Sequence, residues 1–229
     1  MKLTKKWVSF GLAAVMTLSL MVPAMASESE LAETNMLQKE LMTSDGGTAT
    51  ISIPAEYDGQ LTDTELQDFA DGCKDGDFIT IYEIHDVSTS EETVSEAPYA
   101  VPIYRHLTTK TKVGAEFAKD DKFVISVARG ETVSLSTKFS AKLVTSVSGT
   151  YYVDLGFTDE VVCTIDRTKT FTGPDAPYNS REYRVKFYAQ KYNWTQERYL
   201  MPQNQLIGTK SGTAEEAVRY ASYSIDRTL

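Results

Sequence analysis

Catalytic spacings are missing from this sequence: it has no HExxH, no GxSxG and no Walker-type glycine loop. Its only two histidines, His85 and His106, sit in the strand-like contexts EIHDV and YRHLT. His85-Asp86 is the single adjacent pair with acid–base or metal character, so an enzyme built on it, or on carboxylates assembled in space, stands as a third reading. Only two cysteines occur, Cys73 and Cys163, and neither has a basic neighbour that would make it a nucleophile. No repeat at a fixed period is present, which excludes a solenoid or propeller. No apolar run beyond residue 26 approaches a membrane-spanning helix. A formal charge of −9 argues against a nucleic-acid partner, and no cofactor or metal is expected.

What is present begins with an address. Lys2, Lys5 and Lys6 precede the apolar run Val8 to Val22, and Pro23-Ala24-Met25-Ala26 supplies small residues in an A-x-A arrangement. Residues 1–26 therefore read as a signal peptide cleaved after Ala26, and the product is expected to be secreted and extracellular. In an exported chain the two cysteines permit one disulfide, Cys73–Cys163, with two buried free thiols as the alternative.

Charge divides the remainder. Residues 27–100 carry 18 acidic side chains against Lys39 and Lys74, whereas residues 101–229 carry 14 acidic and 18 basic. The polar, acidic stretch VSTSEETVSEAP, Val87 to Pro98, reads as a linker. The expected organisation is an acidic α+β N-terminal lobe, 27–97, followed by an antiparallel β domain, 98–229.

Within the lobe, Met36, Leu37, Leu41 and Met42 have helix-like spacing, ended by Asp45-Gly46-Gly47, and Thr48 to Pro54 is β-prone. Leu61 to Cys73 predicts a second helix, opened by a capping box of Thr62 and Glu65. Asp71, Asp75, Gly76 and Asp77 match part of an EF-hand loop. Cys73 and Tyr82 occupy two of its ligand positions, so a turn between helix and strand is expected instead. In the β domain, Tyr99–Leu107, Thr111–Phe117 and Lys122–Arg129 predict three short strands.

The longest pattern is GETVSLSTKFSAKLVTSVSG, Gly130 to Gly149. Val133, Leu135, Phe139, Ala141, Leu143 and Val147 fall on odd numbers, and Ser134, Ser136, Lys138, Ser140, Lys142, Ser146 and Ser148 on even ones. Thr150 to Phe171 continues the odd phase through Tyr151, Val153, Leu155, Phe157, Val161, Cys163 and Ile165. A turn at Ser148-Gly149-Thr150 would place Leu143 opposite Leu155, Leu135 opposite Cys163 and Val133 opposite Ile165. It would also set Phe139 against Asp159, an awkward rung, and Lys138 against Glu160. This hairpin is read as one wall of an antiparallel β-sandwich, with Cys163 facing inward.

Arg181 to Trp194 is the most aromatic strand. Tyr183, Val185, Phe187 and Ala189 suit a core face. On the other face Lys186, Tyr188, Gln190, Tyr192 and Trp194 form a row of rings and polar groups able to stack on and hydrogen-bond a sugar. The expected role is accordingly a noncatalytic extracellular or cell-surface binding protein with a glycan or protein partner. The alternative takes residues 131–165 as a hairpin that inserts into a membrane. In its Ser/Thr-rich amphipathic hairpin, followed by β-rich segments, the stretch from 130 to 173 resembles aerolysin-type pore formers. That resemblance implies a soluble form that converts to a transmembrane β-barrel.

Overall fold

The computed structural model describes residues 35–86 and 104–228. The signal-peptide reading and the linker Val87 to Pro98 lie outside the described residues. The chain is mainly β. Three strands dominate it: β4 (Tyr104–Ala128), β10 (Ser180–Leu200) and β11 (Gln205–Arg227), of 25, 21 and 23 residues. At about 3.3 Å per residue they run roughly 70–80 Å, several times an ordinary strand.

β10 lies between β4 and β11, antiparallel to both along its whole length. Three shorter strands, β1 (Met36–Met42), β2 (Thr48–Pro54) and β3 (Phe78–Asp86), extend one end of this sheet. The sheet order is β1-β2-β3-β11-β10-β4, with β2 and β3 parallel. Because β3 pairs with β11 from Phe78 to Asp86, the acidic segment and the β domain share one sheet.

The helix-like spacing at Met36–Met42 yields to a strand. A turn with Gly46 at φ 86° returns the chain so that Leu37 pairs with Ile53 and Leu41 with Ala49. An edge strand fills its ladder hydrogen bonds this way, which outweighs a short, weak helical pattern.

Residues 104–128 form one strand where three were expected. The breaks that suggested separate strands became bulges: the β4–β10 register shifts near Asp120, and again between Ala189 and Lys191 where Gly114 adopts φ 72°. Gln190 is buried there, and its Nε2 donates to the carbonyls of Val113, Gly114 and Lys191. The irregular backbone therefore keeps its hydrogen bonds.

One face of the sheet's wide end carries α1 (Asp63–Ala70). The capping box forms as read: Glu65 N donates to Thr62 Oγ1, and Thr62 N donates to Glu65 Oε2 at 2.7 Å. Leu66 and Phe69 sink into a cluster with Ile51, Ile79, Ile81, Tyr188, Tyr223 and Ile225. The EF-hand-like aspartates work as turn residues, since Lys74 N donates to Asp77 and Thr48 N to Asp75.

The opposite face carries residues 129–173. They form two short ribbons, β5 (Thr132–Ser134) with β9 (Thr170–Thr172), and β6 (Phe139–Val144) with β8 (Glu160–Ile165). The second layer is thus a narrow flap rather than a full second sheet.

Candidate functional site

The flap and the sheet surface beneath it are the most distinctive arrangement in the molecule. Its parity follows the sequence from Leu135 to Leu143 and from Val161 to Phe171, but Val133, Tyr151 and Val153, also expected inward, are exposed. Val161, Cys163, Ile165 and Phe171 are buried, and Leu135, Phe139, Ala141 and Leu143 are partly buried, against Val127, Tyr183, Val185 and Phe187. The even-numbered side chains from Thr132 to Thr150 all face solvent.

The register differs. Val133 pairs with Phe171 and Phe139 with Ile165, six residues further along each arm, so both ribbons belong to one hairpin. Thr145 N donates to the Asp159 carbonyl at 2.8 Å and carries the same register a further six residues. Relative to expectation, one arm has slipped by six residues, an even number that leaves every side chain on its face. The slip removes the awkward rung: Phe139 meets Ile165, and Asp159 meets Thr145. Lys142 rather than Lys138 reaches Glu160, at 2.6 Å.

Beyond Thr145 the two arms stop pairing with each other and turn their polar groups to the long sheet. β7 (Ser146–Val147) pairs with Ala214 and Glu215 of β11. Ser148 N donates to the Thr213 carbonyl, and the Ser148 and Thr213 hydroxyl oxygens are 2.7 Å apart. Gln196, fully buried, accepts from Tyr152 N at 2.8 Å and Val153 N at 3.2 Å, while its Nε2 donates to Thr108 Oγ1 and the Val153 carbonyl. Buried Glu216 accepts from Thr158 N at 2.8 Å, Ala217 N donates to Thr145 Oγ1, and Lys110 donates to the Gly156 carbonyl. Ser148-Gly149-Thr150 does not close the expected hairpin, and Ser148 N bonds instead to the Thr213 carbonyl of β11.

The row proposed as a sugar platform lies inside. Lys186, Tyr188, Gln190, Tyr192 and Trp194 are each 7% exposed or less. The structure splits them between three environments. Lys186 and Tyr188 lie under α1, with the Lys186 ammonium 4.9 Å from the Phe69 ring centre and hydrogen-bonded to the Asp68 carbonyl. Burial lowers the Lys186 pKa, opposed by Asp121 and Asp68. Gln190 serves the bulge. Tyr192 and Trp194 lie under the flap, where Phe157 is 5.4 Å from Tyr192 and Tyr151 meets Trp194 edge-on at 6.2 Å.

Contact there is close enough to require glycine. A Cβ on Gly212 would stand 2.2 Å from the Ser148 carbonyl and 2.6 Å from the Trp194 ring. Gly149, at φ 97°, faces the same indole.

The cysteines do not meet. Cys73 belongs to the cluster beneath α1 and Cys163 to the cluster beneath the flap, on opposite faces of the sheet, and both are free. Cys163 does face inward; the misjudged element is the face on which the helix end docks. Burial pushes both thiols up to about 11, with Asp77 adding to the effect at Cys73 and Glu83 at Cys163. His85 stacks on Tyr220 at 5.2 Å, and His106 lies 5.8 Å from Tyr152 at the far end of the sheet, so the two histidines work apart.

No family model, no curated protein and no solved structure matches this chain.

Proposed function

We propose that this chain is a β-pore-forming protein whose residues 129–173 pack on the long sheet in the soluble form and extend as a transmembrane hairpin in the inserted form. The observation that carries the reading is that the flap builds its own backbone ladder. Its strands pair with each other, and a single short bridge, Val147 and Ser146 with Ala214 and Glu215, joins its ladder to the long sheet. Removing it would leave the backbone pairing of β4, β10 and β11 intact.

Both arms have the length and chemistry for the second role. Thr132–Val144 and Glu160–Thr172 each exceed the roughly 9–11 residues that cross a bilayer. In the shared register the apolar odd side chains from Leu135 to Leu143 and from Val161 to Ile165, now on the sheet, would face lipid together with Phe171, and the even-numbered Ser, Thr and Lys side chains would line a wet lumen. Asp166 to Lys169 form an exposed turn between β8 and β9, so the odd-numbered Arg167 and Lys169 are basic exceptions to that pattern, and Asp159 is the acidic one. Export under the signal-peptide reading of residues 1–26 agrees with an extracellular target membrane. The resemblance of residues 130–173 to aerolysin-type hairpins supports the same conversion.

The test is a reversible lock. Ser148 and Thr213 touch through their hydroxyls, so Ser148→Cys with Thr213→Cys should form a disulfide that ties the flap to β11. Dye-loaded vesicles should leak with the wild-type chain, hold their dye with the oxidised double variant, and leak again after reduction. Leakage by the oxidised protein at the wild-type rate, or no leakage by wild type at any lipid composition or pH, would end the proposal.

A further inference from the structure

The narrow end of the sheet is built differently from the rest of the surface. β10 and β11 meet there through YLMPQNQLIGT, residues 199–209, which carries no charge. Leu206 and Ile207 are 49% and 44% exposed, and Leu107, across β10 on β4 and in register with Glu197, is 47% exposed. Connections between strands are normally polar, and apolar side chains clustered at an exposed tip mark a surface that meets another phase or molecule.

Around this tip runs a collar of rings and bases. The Arg198 guanidinium lies 3.5 Å from the Tyr104 ring centre and 5.3 Å from that of Tyr152; Lys210 lies 4.3 Å from Tyr152, and Arg105 5.2 Å from Tyr199. Among the described residues, Arg105, Lys110, Lys112, Arg198 and Lys210 have no carboxylate partner within 4.0 Å. At the wide end Arg181, Arg184, Lys186, Arg219 and Arg227 are all paired. Arg105, Arg198 and Lys210 thus stand together around an uncharged apolar turn, with Glu197 the acid beside them. Lys74, Arg129, Lys138, Arg167 and Lys169, which also lack a carboxylate partner among the described residues, are spread over the wide end and the flap.

From this placement we infer that the tip docks on the surface of a bilayer containing anionic phospholipid. Leu206, Ile207 and Leu107 would enter the boundary between headgroups and acyl chains. Tyr104, Tyr152 and Tyr199 would lie at headgroup depth, where amphipathic rings are favoured, and Arg105, Arg198 and Lys210 would meet lipid phosphates. A small apolar tip binds a membrane marginally by itself, and adjacent basic charge makes up the difference on an anionic surface. The inference needs only the tip, not hairpin insertion. It adds that docking would bring the end of the flap, Tyr151 to Val153, to the membrane together with the collar.

The experiment is flotation of the chain from Ser27 to Leu229, the product expected after cleavage, with vesicles of phosphatidylcholine, alone or mixed with phosphatidylglycerol, with dye leakage read separately. Wild type should float with the mixed vesicles, lose most of that binding in high salt, and bind phosphatidylcholine alone at least about tenfold more weakly. Ile207→Asp, and Arg105→Glu combined with Lys210→Glu, should each lower binding at least about tenfold. Lys74→Glu, at the wide end, should leave it unchanged. To guard against misfolded variants, Ile207→Trp should bind normally and be quenched by bromine-labelled lipid, while buried Trp194 contributes an unquenched background. The proposal is overturned if wild type ignores phosphatidylglycerol, if the tip variants float like wild type, or if the new tryptophan is not quenched. The two readings fail separately: the Ser148→Cys/Thr213→Cys lock should abolish leakage but keep flotation, whereas tip variants should lose both.

Discussion

Replacing Gln196 by Leu should release the end of the flap while the long sheet stays folded. Gln196 is fully buried, and its side-chain amide satisfies two backbone N–H groups, of Tyr152 and Val153, and one carbonyl, of Val153. Leu keeps similar bulk and apolar packing but offers these groups nothing. A buried polar group left without its partner costs about 1–3 kcal/mol. The flap can escape by lifting those groups into water, so the loss falls on docking rather than on global folding. Taking about 2–4 kcal/mol for the set, the undocked fraction rises by roughly thirty- to several-hundredfold, at 1.4 kcal/mol per tenfold. The pairing of Gln196 with Thr108 and Lys210 is a backbone ladder and survives the substitution. Native-state amide exchange reads the difference directly. Protection of Tyr152 and Val153 should fall by that factor, with Thr158 following, while amides of Tyr183 to Phe187 on β10 hold theirs. Unchanged protection at Tyr152 and Val153 would refute the latch, and an equal fall at β10 would show that Gln196 supports the whole fold.

The thiols offer a chemical report on the same event. With both pushed up to about 11 by burial, Cys73 and Cys163 should resist an aromatic disulfide reagent at pH 8. When the flap undocks, in Gln196→Leu or on vesicles, Cys163 should react first; equal rates for the two would contradict their placement on opposite faces. His106 makes docking pH-dependent. Burial, with Arg198 adding to it, lowers its pKa, so the folded state disfavours the imidazolium. Its contribution is fully present above the ordinary imidazole range and is lost as pH falls through the lowered value. Protection of Tyr152, which lies against this ring, should drop with acidification, and His106→Gln should flatten that dependence. Asp159→Asn removes a carboxylate from the face proposed to meet lipid. It should raise the rate of vesicle leakage several-fold at neutral pH, and an unchanged or slower rate would place Asp159 outside the membrane.

How much of this could be read beforehand depends on how many faces each segment buries. The flap buries one, so alternation alone assigned its inward residues, including Cys163. Its register stayed open because any even slip preserves parity; the one clue was the poor match of Phe139 with Asp159. The capping box was legible because both partners lie within one helical turn. β4 was read as three strands because a bulge and a strand end share the same Gly, Lys and Asp residues. β11 went unread because Ala, Ser and Glu carry little strand signal. Its pairing comes from β10 and β3, which lie far away in sequence.

β10 buries both faces, and there alternation misled. Tyr183, Val185 and Phe187 lie under the flap and Lys186 and Tyr188 under α1. Past the bulge near Gln190 the parity exchanges, so that Tyr192, Trp194 and Gln196 lie under the flap. A row that looked like a platform for rings to stack on does receive rings, but they are Tyr151 and Phe157 of the same chain. That occupancy bears on the proposed conversion. Lifting the flap bares the flanks of Tyr192 and Trp194 together with the odd face of the hairpin, at about 25 cal/mol for each Å² of apolar surface exposed. Water is therefore a poor destination for the open form, and the flap should stay shut until another apolar surface is within reach. A membrane beneath the narrow end would supply that surface at the end where the tip of the flap is held.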